Sequence, residues 1–220
     1  METHRIPLFP LASVVLFPRT SVPLHIFEPR YRRMVESALE TDRRLAMVTV
    51  RPEHAGEMQG DPPIYPVGCA GFIRSYQRLA DGRYNLLLAG SHRVRIEGEL
   101  PRAGDRPFRI GEVSPLEDPV RDASLCAQLR AQVVSHLEKI VSETAGLSLE
   151  QLVGTTQHVD VARFTDGVCQ TLALPVAEKQ SLLDADSIDE RLARLEGALA
   201  FHLAMAEQGA SRQPGSETLH

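Results

Sequence analysis

The sequence predicts an α+β chain: a strand-rich amino-terminal part forming a curled antiparallel sheet or partial barrel with one early helix, followed by a carboxy-terminal helical bundle. Three observations carry this. The apolar opening segment is broken by Pro7, Pro10, Pro18, Pro23 and Pro29, and each proline excludes its position from a helix interior or a central strand. Asp81-Gly82 stands between two apolar runs, as in a tight hairpin. Beyond Pro115–Pro119 the apolar spacing changes to threes and fours, the period of an amphipathic helix.

Taken in order, the opening prolines favour short edge strands over Leu11–Phe17 and Val22–Ile26. Pro29 suits the first position of a helix running to Glu40, with Glu28 at the positive end of its dipole. Tyr31, Met34, Val35 and Ala38 give that helix one apolar stripe. Leu45–Val50 reads as a buried strand and Arg51–Pro63 as a polar loop. Ala70–Leu79 and Tyr84–Ala89 flank the Asp81-Gly82 turn, for which two-residue geometry is predicted. Val94 and Ile96 alternate with charged neighbours as in a half-exposed strand, and Phe108–Val113 adds another, for about seven strands in all.

In the second half Leu125, Leu129, Val133, Leu137 and Ile140 define a helix from Arg121 to Thr144. Val161, Phe164, Val168 and Leu172 define a second, stopped by Pro175. Ala177–Leu183 is a short helical turn. The last helix carries the stripe Ile188, Leu192, Leu195, Leu199 and Leu203, opened by a capping box of Ser187 and Glu190. The domain organisation predicted is 1–116 for the strand-rich part, 117–208 for the bundle and 209–220 for a disordered tail.

Composition narrows the function. The 220 residues carry a net charge of −5, with 43% hydrophobic and 24% charged residues, ordinary values for a globular protein. A net negative charge argues against a nucleic-acid partner, and the Arg30, Arg32 and Arg33 cluster reads as a solvated helix face. Cys69, Cys126 and Cys169 are far apart, without a C-x-x-C pair, which fits a reducing compartment. No apolar run approaches bilayer length, so no membrane is expected and the cytoplasm is the default location.

The opening Pro7-Leu-Phe-Pro-Leu11, Val15-Leu-Phe-Pro18 and Pro23-Leu-His-Ile-Phe-Glu-Pro-Arg-Tyr31 resemble the start of the Lon-protease amino-terminal, substrate-engaging domain. Val67-Gly68, Asp81-Gly-Arg-Tyr-Asn-Leu86, Gly90-Ser-His-Arg-Val-Arg-Ile96, Lys179-Gln-Ser-Leu-Leu183 and Arg191-Leu192 follow in that family's order. The resemblance spans residues 5 to 208 and implies a small pseudo-barrel followed by a helical bundle. It identifies a stand-alone substrate-binding domain without the ATPase and Ser-Lys peptidase parts: no G-x-x-x-x-G-K-[ST] is present. The signature residues His25, Phe27, Glu28, Arg30, Tyr31 and Arg93 are read as structural.

No catalytic residue, metal or cofactor is expected. His25 reads as a strand-edge histidine, and Glu28 with Arg30 as a cap or ion pair at the helix start. Ser91 and His92 are adjacent on one strand and should point to opposite faces, with no G-x-S-x-G elbow to present a nucleophile. The histidines show no H-E-x-x-H, and Gly68-Cys-Ala-Gly71 reads as a strand bulge rather than a nucleic-acid clamp. The expected partner is a polypeptide or protein, with Met58, Ile64 and Tyr65 along the rim of a peptide-binding groove. A small hydrolase built around His25, Glu28 or His92, and a regulator binding one folded partner, are the alternatives.

Overall fold

The computed structural model describes residues 3–101, 104, 106–143 and 159–211. Six strands come first: β1 His4–Leu11, β2 Ser21–Ile26, β3 Arg44–Thr49, β4 Val67–Arg78, β5 Tyr84–Glu99 and β6 Arg109–Leu116, with helix α1, Pro29–Leu39, between β2 and β3. Four further helices follow: α2 Ala123–Glu143, α3 Val161–Thr171, α4 Val176–Leu183 and α5 Ile188–Ser211. Most of the segment assigned to the tail lies outside the described residues, and α5 continues to Ser211.

The sheet runs β2-β5-β4-β3-β1-β6, and a second pairing of β6 with β5 closes five of the strands into a ring that leaves β2 outside. The sheet is mixed, because β1 and β3 pair in parallel. That pairing is a correction to the antiparallel expectation. A second correction concerns the first strand, which occupies His4–Leu11 rather than Leu11–Phe17 and lies inside the ring rather than at an edge. Its prolines are tolerated because its partners change along its length. Pro7 lies in the stretch paired with β6, before β3 pairing begins at Leu8, and Pro10 lies beyond the last residue paired with β6. Each proline therefore has a paired strand on one side only, and the other side holds no ladder that its missing N–H could interrupt.

Residues 12–20 are irregular, yet Val15, Leu16 and Phe17 are fully buried. A buried loop needs partners for its backbone. Gln170 of α3 supplies them, its Oε1 accepting from Phe17 N at 3.0 Å and its Nε2 donating to Val15 O at 3.1 Å. Val15 and Phe17 pack among the bundle side chains, whereas Leu16 packs with Tyr31, Met34 and Val35 beneath α1. A third cluster, including Ile6, Leu8, Val48, Val94 and Val113, fills the ring.

β5 is one 16-residue strand where two were expected. Its first part pairs with β2 and β4 and its second with β4 and β6. The interruption read in the sequence is a bulge at Ser91, which bends the strand without ending it. At Gly90 an added Cβ would lie 2.3 Å from Phe17 O, so only glycine lets β5 pass the buried loop. The β4–β5 turn is a three-residue loop, not two: Leu79 N donates to Arg83 O at 2.8 Å, and Gly82 takes the left-handed conformation at φ 79°. The capping pair also differs from expectation. Ser187 Oγ accepts from Glu190 N at 3.1 Å, but the Glu190 carboxylate accepts from Asp186 N at 2.9 Å.

A buried charge network joins ring and bundle. Arg93 of β5 donates from Nε to Asp118 Oδ1 at 2.7 Å, and Arg191 of α5 donates from Nη2 to the same oxygen at 2.7 Å. Arg191 also pairs with Asp166 of α3. Arg19, at φ 62° in the irregular segment, reaches both carboxylates, at 2.7 Å to Asp166 and 2.9 Å to Asp118. Main-chain oxygens of Glu117 and Leu183 accept from Arg93, and that of Leu182 accepts from Arg191. Burial pushes the Asp118 carboxyl up, but Arg191 and Arg93 outweigh it and hold it below the usual range. Arg191→Ala leaves Asp166 and Asp118 under-compensated in a dry site, and should cost about 3–5 kcal/mol, read from urea unfolding.

Asp189 anchors the start of α2, accepting from Arg121 N at 2.8 Å and Asp122 N at 2.7 Å. Asp122 then caps the helix by accepting from Leu125 N at 2.9 Å, which is why the helix begins at Ala123 and not at Arg121. Burial raises the Asp189 carboxyl, but these amides outweigh it and hold it at about 2, below its ordinary 3.8. A depressed carboxyl contributes stability that is present above pH 3.8 and is lost as pH falls toward 2. Equilibrium unfolding across that window should show the loss, and Asp189→Asn should flatten it.

Candidate functional site

Two of the ring's strands, β5 and β4, together with β2, make an open sheet face. Register places Pro23, Leu87 and Ser75 abreast, then His25, Asn85 and Gln77, with Phe72 opposite Ala89 on the same side. The other side of these strands carries Val22, Ile26, Tyr84, Leu86 and Leu88 into the core under α1. Alternation along β5 therefore sends Leu87 outward, half-buried, between exposed Pro23 and Ser75. Phe72 is 44% exposed and Phe27, just past β2, is 60% exposed. The His25 ring lies nearly parallel to that of Phe27, with centroids 6.2 Å apart. Phe27, Pro23, Leu87 and Phe72 thus lie along one side of these strands, with the His25 ring between Phe27 and Pro23. Beside them, among the described residues, β2 pairs with no strand but β5.

The signature residues take separate positions. His25 Nδ1 lies 2.7 Å from Asn85 Oδ1, its cross-strand neighbour. Tyr31 is buried, edge-on to Phe9 at 4.8 Å. Arg30 covers the Tyr31 ring at 4.5 Å and pairs with Glu28 at 3.0 Å. The Glu28 side chain thus serves Arg30 and makes no capping hydrogen bond to the helix. Arg93 belongs to the charge network.

The proposed groove rim is differently arranged. The loop after β3 folds into a 3-10 turn, Pro52–Glu57, and Arg30 donates to the main-chain oxygens of Met58 and Gly60. Ile64 bridges to Val50 and packs onto the ring-filling cluster. Tyr65 lies under the Arg51 guanidinium at 5.2 Å. Met58, Ile64 and Tyr65 are each half-buried, and no described contact brings the three side chains together.

Ser91 and His92 do not diverge as strand alternation predicts. The bulge turns Ser91 so that its Oγ lies 2.9 Å from His92 Nδ1. The same hydroxyl donates to Ala70 O at 2.9 Å, so its hydrogen is committed to the sheet and not to the imidazole. Among the described residues no group of three or more His, Cys, Asp or Glu could hold a metal ion, and no helix is long and apolar enough to cross a membrane.

This row of side chains was not read from the sequence. Phe72 and Tyr76 look equivalent by alternation, but the bulge at Arg74 puts them on opposite sides. Tyr76, 46% exposed, lies near Arg43 and Tyr84 instead. One signal was present: Phe27 follows a strand and precedes Pro29, a position with no core to enter.

Residues 5–200 match the family model of the ATP-dependent protease La (LON) substrate-binding domain. The chain is 29% identical to a Lon protease of Azospirillum brasilense over 86% of this chain and 23% of the protease. It is 30% identical to that of Rhizobium meliloti over 91% of this chain and 24% of the protease. The chain therefore spans about a quarter of the length of these relatives. A Lon N-terminal domain protein from Xanthomonas campestris superposes with a TM-score of 0.60 at 25% identity, covering 87% of this chain and 96% of that one. The N-terminal domain of Mycobacterium avium complex Lon protease shares the fold, with a TM-score of 0.67 at 16% identity over 90% and 100% of the two chains.

The Arg30 contacts hold the loop after β3 from outside the core. Arg30→Ala should therefore increase proteolytic cleavage between residues 51 and 63 while leaving the global unfolding midpoint nearly unchanged. Mass spectrometry of limited digests checks both the site and the rate.

Proposed function

Since this chain belongs to the family of the ATP-dependent protease La (LON) substrate-binding domain, we propose that it is a polypeptide-binding module that takes exposed apolar segments of unfolded chains on the β2-β5-β4 face. The observation that carries this reading is the solvent-facing row of Phe27, Pro23, Leu87 and Phe72 beside an unpartnered strand edge. Large side chains left in water on a sheet face mark an interaction surface, and an extended segment laid along β2 would find main-chain groups next to apolar side chains. The proline at position 23 limits what the bare edge can do alone, since it has no N–H to offer.

Binding on such a face needs neither ATP nor peptide cleavage by this chain. It would serve to hold clients or to hand them to a protease or chaperone. A hydrolase around His25 or Glu28 gains no support from the geometry: the first is engaged by Asn85 and the second by Arg30.

Fluorescence anisotropy with a labelled, permanently unfolded polypeptide tests the reading, with a folded protein as control. Saturable binding to the unfolded chain alone is expected. Phe72→Glu and Phe27→Ser should each weaken it about tenfold, as removal of an aromatic anchor does, with unchanged thermal unfolding. Equal binding by both variants would remove this face from consideration, and no binding at all would remove the client hypothesis.

A further inference from the structure

The ring is plugged at its centre but open at one mouth. There a cavity of about 390 Å³ is floored by Ile6, Val94 and Val113, side chains of the ring-filling cluster, and rimmed by His4, Arg44 and His92. That volume falls within the usual range for small-molecule sites, and barrel mouths are a common place for them. We propose that this mouth binds a small apolar carboxylate, its hydrocarbon part on the floor and its charged end among Arg44, His4 and His92.

Charge complementarity singles out this class. The lining gathers Arg5, Arg44, His4 and His92 from three different strands, with Ser37, Thr41 and Asp42 at and just past the end of α1, over an apolar floor. The acidic groups nearby are already engaged: Asp42 accepts from Arg44 N at 3.1 Å and meets Arg44 Nε at 3.4 Å, while Glu112 pairs with Arg5 at 3.6 Å. The Asp42–Arg44 pair is long and mostly in water, so an incoming carboxylate competes for the guanidinium at little cost. A neutral apolar ligand would leave these polar groups unused, and an amine would meet the Arg44 guanidinium with like charge.

His92 couples this site to protons. Because Ser91 Oγ donates to Ala70 O, it accepts from His92 Nδ1–H, so the neutral ring presents a bare Nε2. Protonation turns that nitrogen into a donor suited to a carboxylate. Burial, and then Arg44 of β3 and His4 of β1, hold the imidazole below the usual histidine range, with Asp118 beyond β6 opposing them. A bound carboxylate supplies the missing counter-charge. Binding should therefore take up a proton and tighten as pH falls through the range in which the His92 imidazole becomes protonated.

The test is titration of the whole chain, following the His92 ring resonances by NMR and the affinity by calorimetry. The probes are octanoate, octanol, and N-acetyl-leucyl-leucine with its carboxamide. Saturation by either acid at about millimolar or below, with the neutral analogue about tenfold weaker, supports the site. The tighter acid shows whether a free carboxylate or a chain terminus is the natural source. Arg44→Gln should weaken the acid about tenfold, and His92→Gln should remove the pH dependence, with both variants unfolding like the parent. The proposal is overturned if octanol binds as well as octanoate, or if neither acid moves the His92 resonances.

Discussion

The arrangement of this molecule depends on three arginines sharing two aspartates, with Arg93, Arg191 and Asp166 buried and Arg19 closing the cluster from the surface side. Arg93 comes from the ring, Arg191 and Asp166 from the bundle, Asp118 from the segment joining them, and Arg19 from the irregular stretch after β1. Each position is tolerable only while the others are filled, because an uncompensated charge there would face a large desolvation cost. Carbonyls at the end of α4 and beside Asp118 accept further hydrogens from Arg191 and Arg93. The network therefore fixes geometry more than it adds net stability. Hydrophobic contact alone would let ring and bundle slide; five charges with matched donors and acceptors permit one docking.

The apolar opening segment follows from the same constraint. Its side chains are divided between two cores, Leu16 under α1 and Val15 with Phe17 in the bundle. A regular strand would send neighbouring side chains to opposite sides but would also require a ladder partner. Gln170 replaces the ladder with a single amide, and left-handed Arg19 ends the segment by turning it into the charge cluster.

How legible all this was depends on how local each signal is. The helices were placed closely, since stripes such as Leu192, Leu195 and Leu199 repeat within one element. The division into strands then helices was equally plain. Strand boundaries were less so, because Pro7 and Pro10 argue for an edge when read alone; only the change of partner along β1 makes them harmless inside a ring. The parallel β1–β3 pairing left no trace in either segment. On the candidate face, the bulges at Arg74 and Ser91 each shift alternation by one residue, so the side on which Phe72, Tyr76 or His92 falls could not be counted from the sequence. The signature residues divide by role: Tyr31 is core, Phe27 is solvent-facing and Arg93 belongs to the charge network.

The ring closes between the chain's beginning and its middle: His4 pairs with Val113, and Leu8 with Arg109. No earlier part of the chain can complete that closure. Until β6 is in place, β1 remains proline-studded and unpaired on that side. Loop closure over such a separation is entropically costly and slows the search for native pairing. The hairpin of β4 and β5, joined by a three-residue loop, is the most local pairing in the sheet, and the β1–β6 ladder is the least local. β1 is thus the latch of the ring, held by the ring strand most distant from it in sequence.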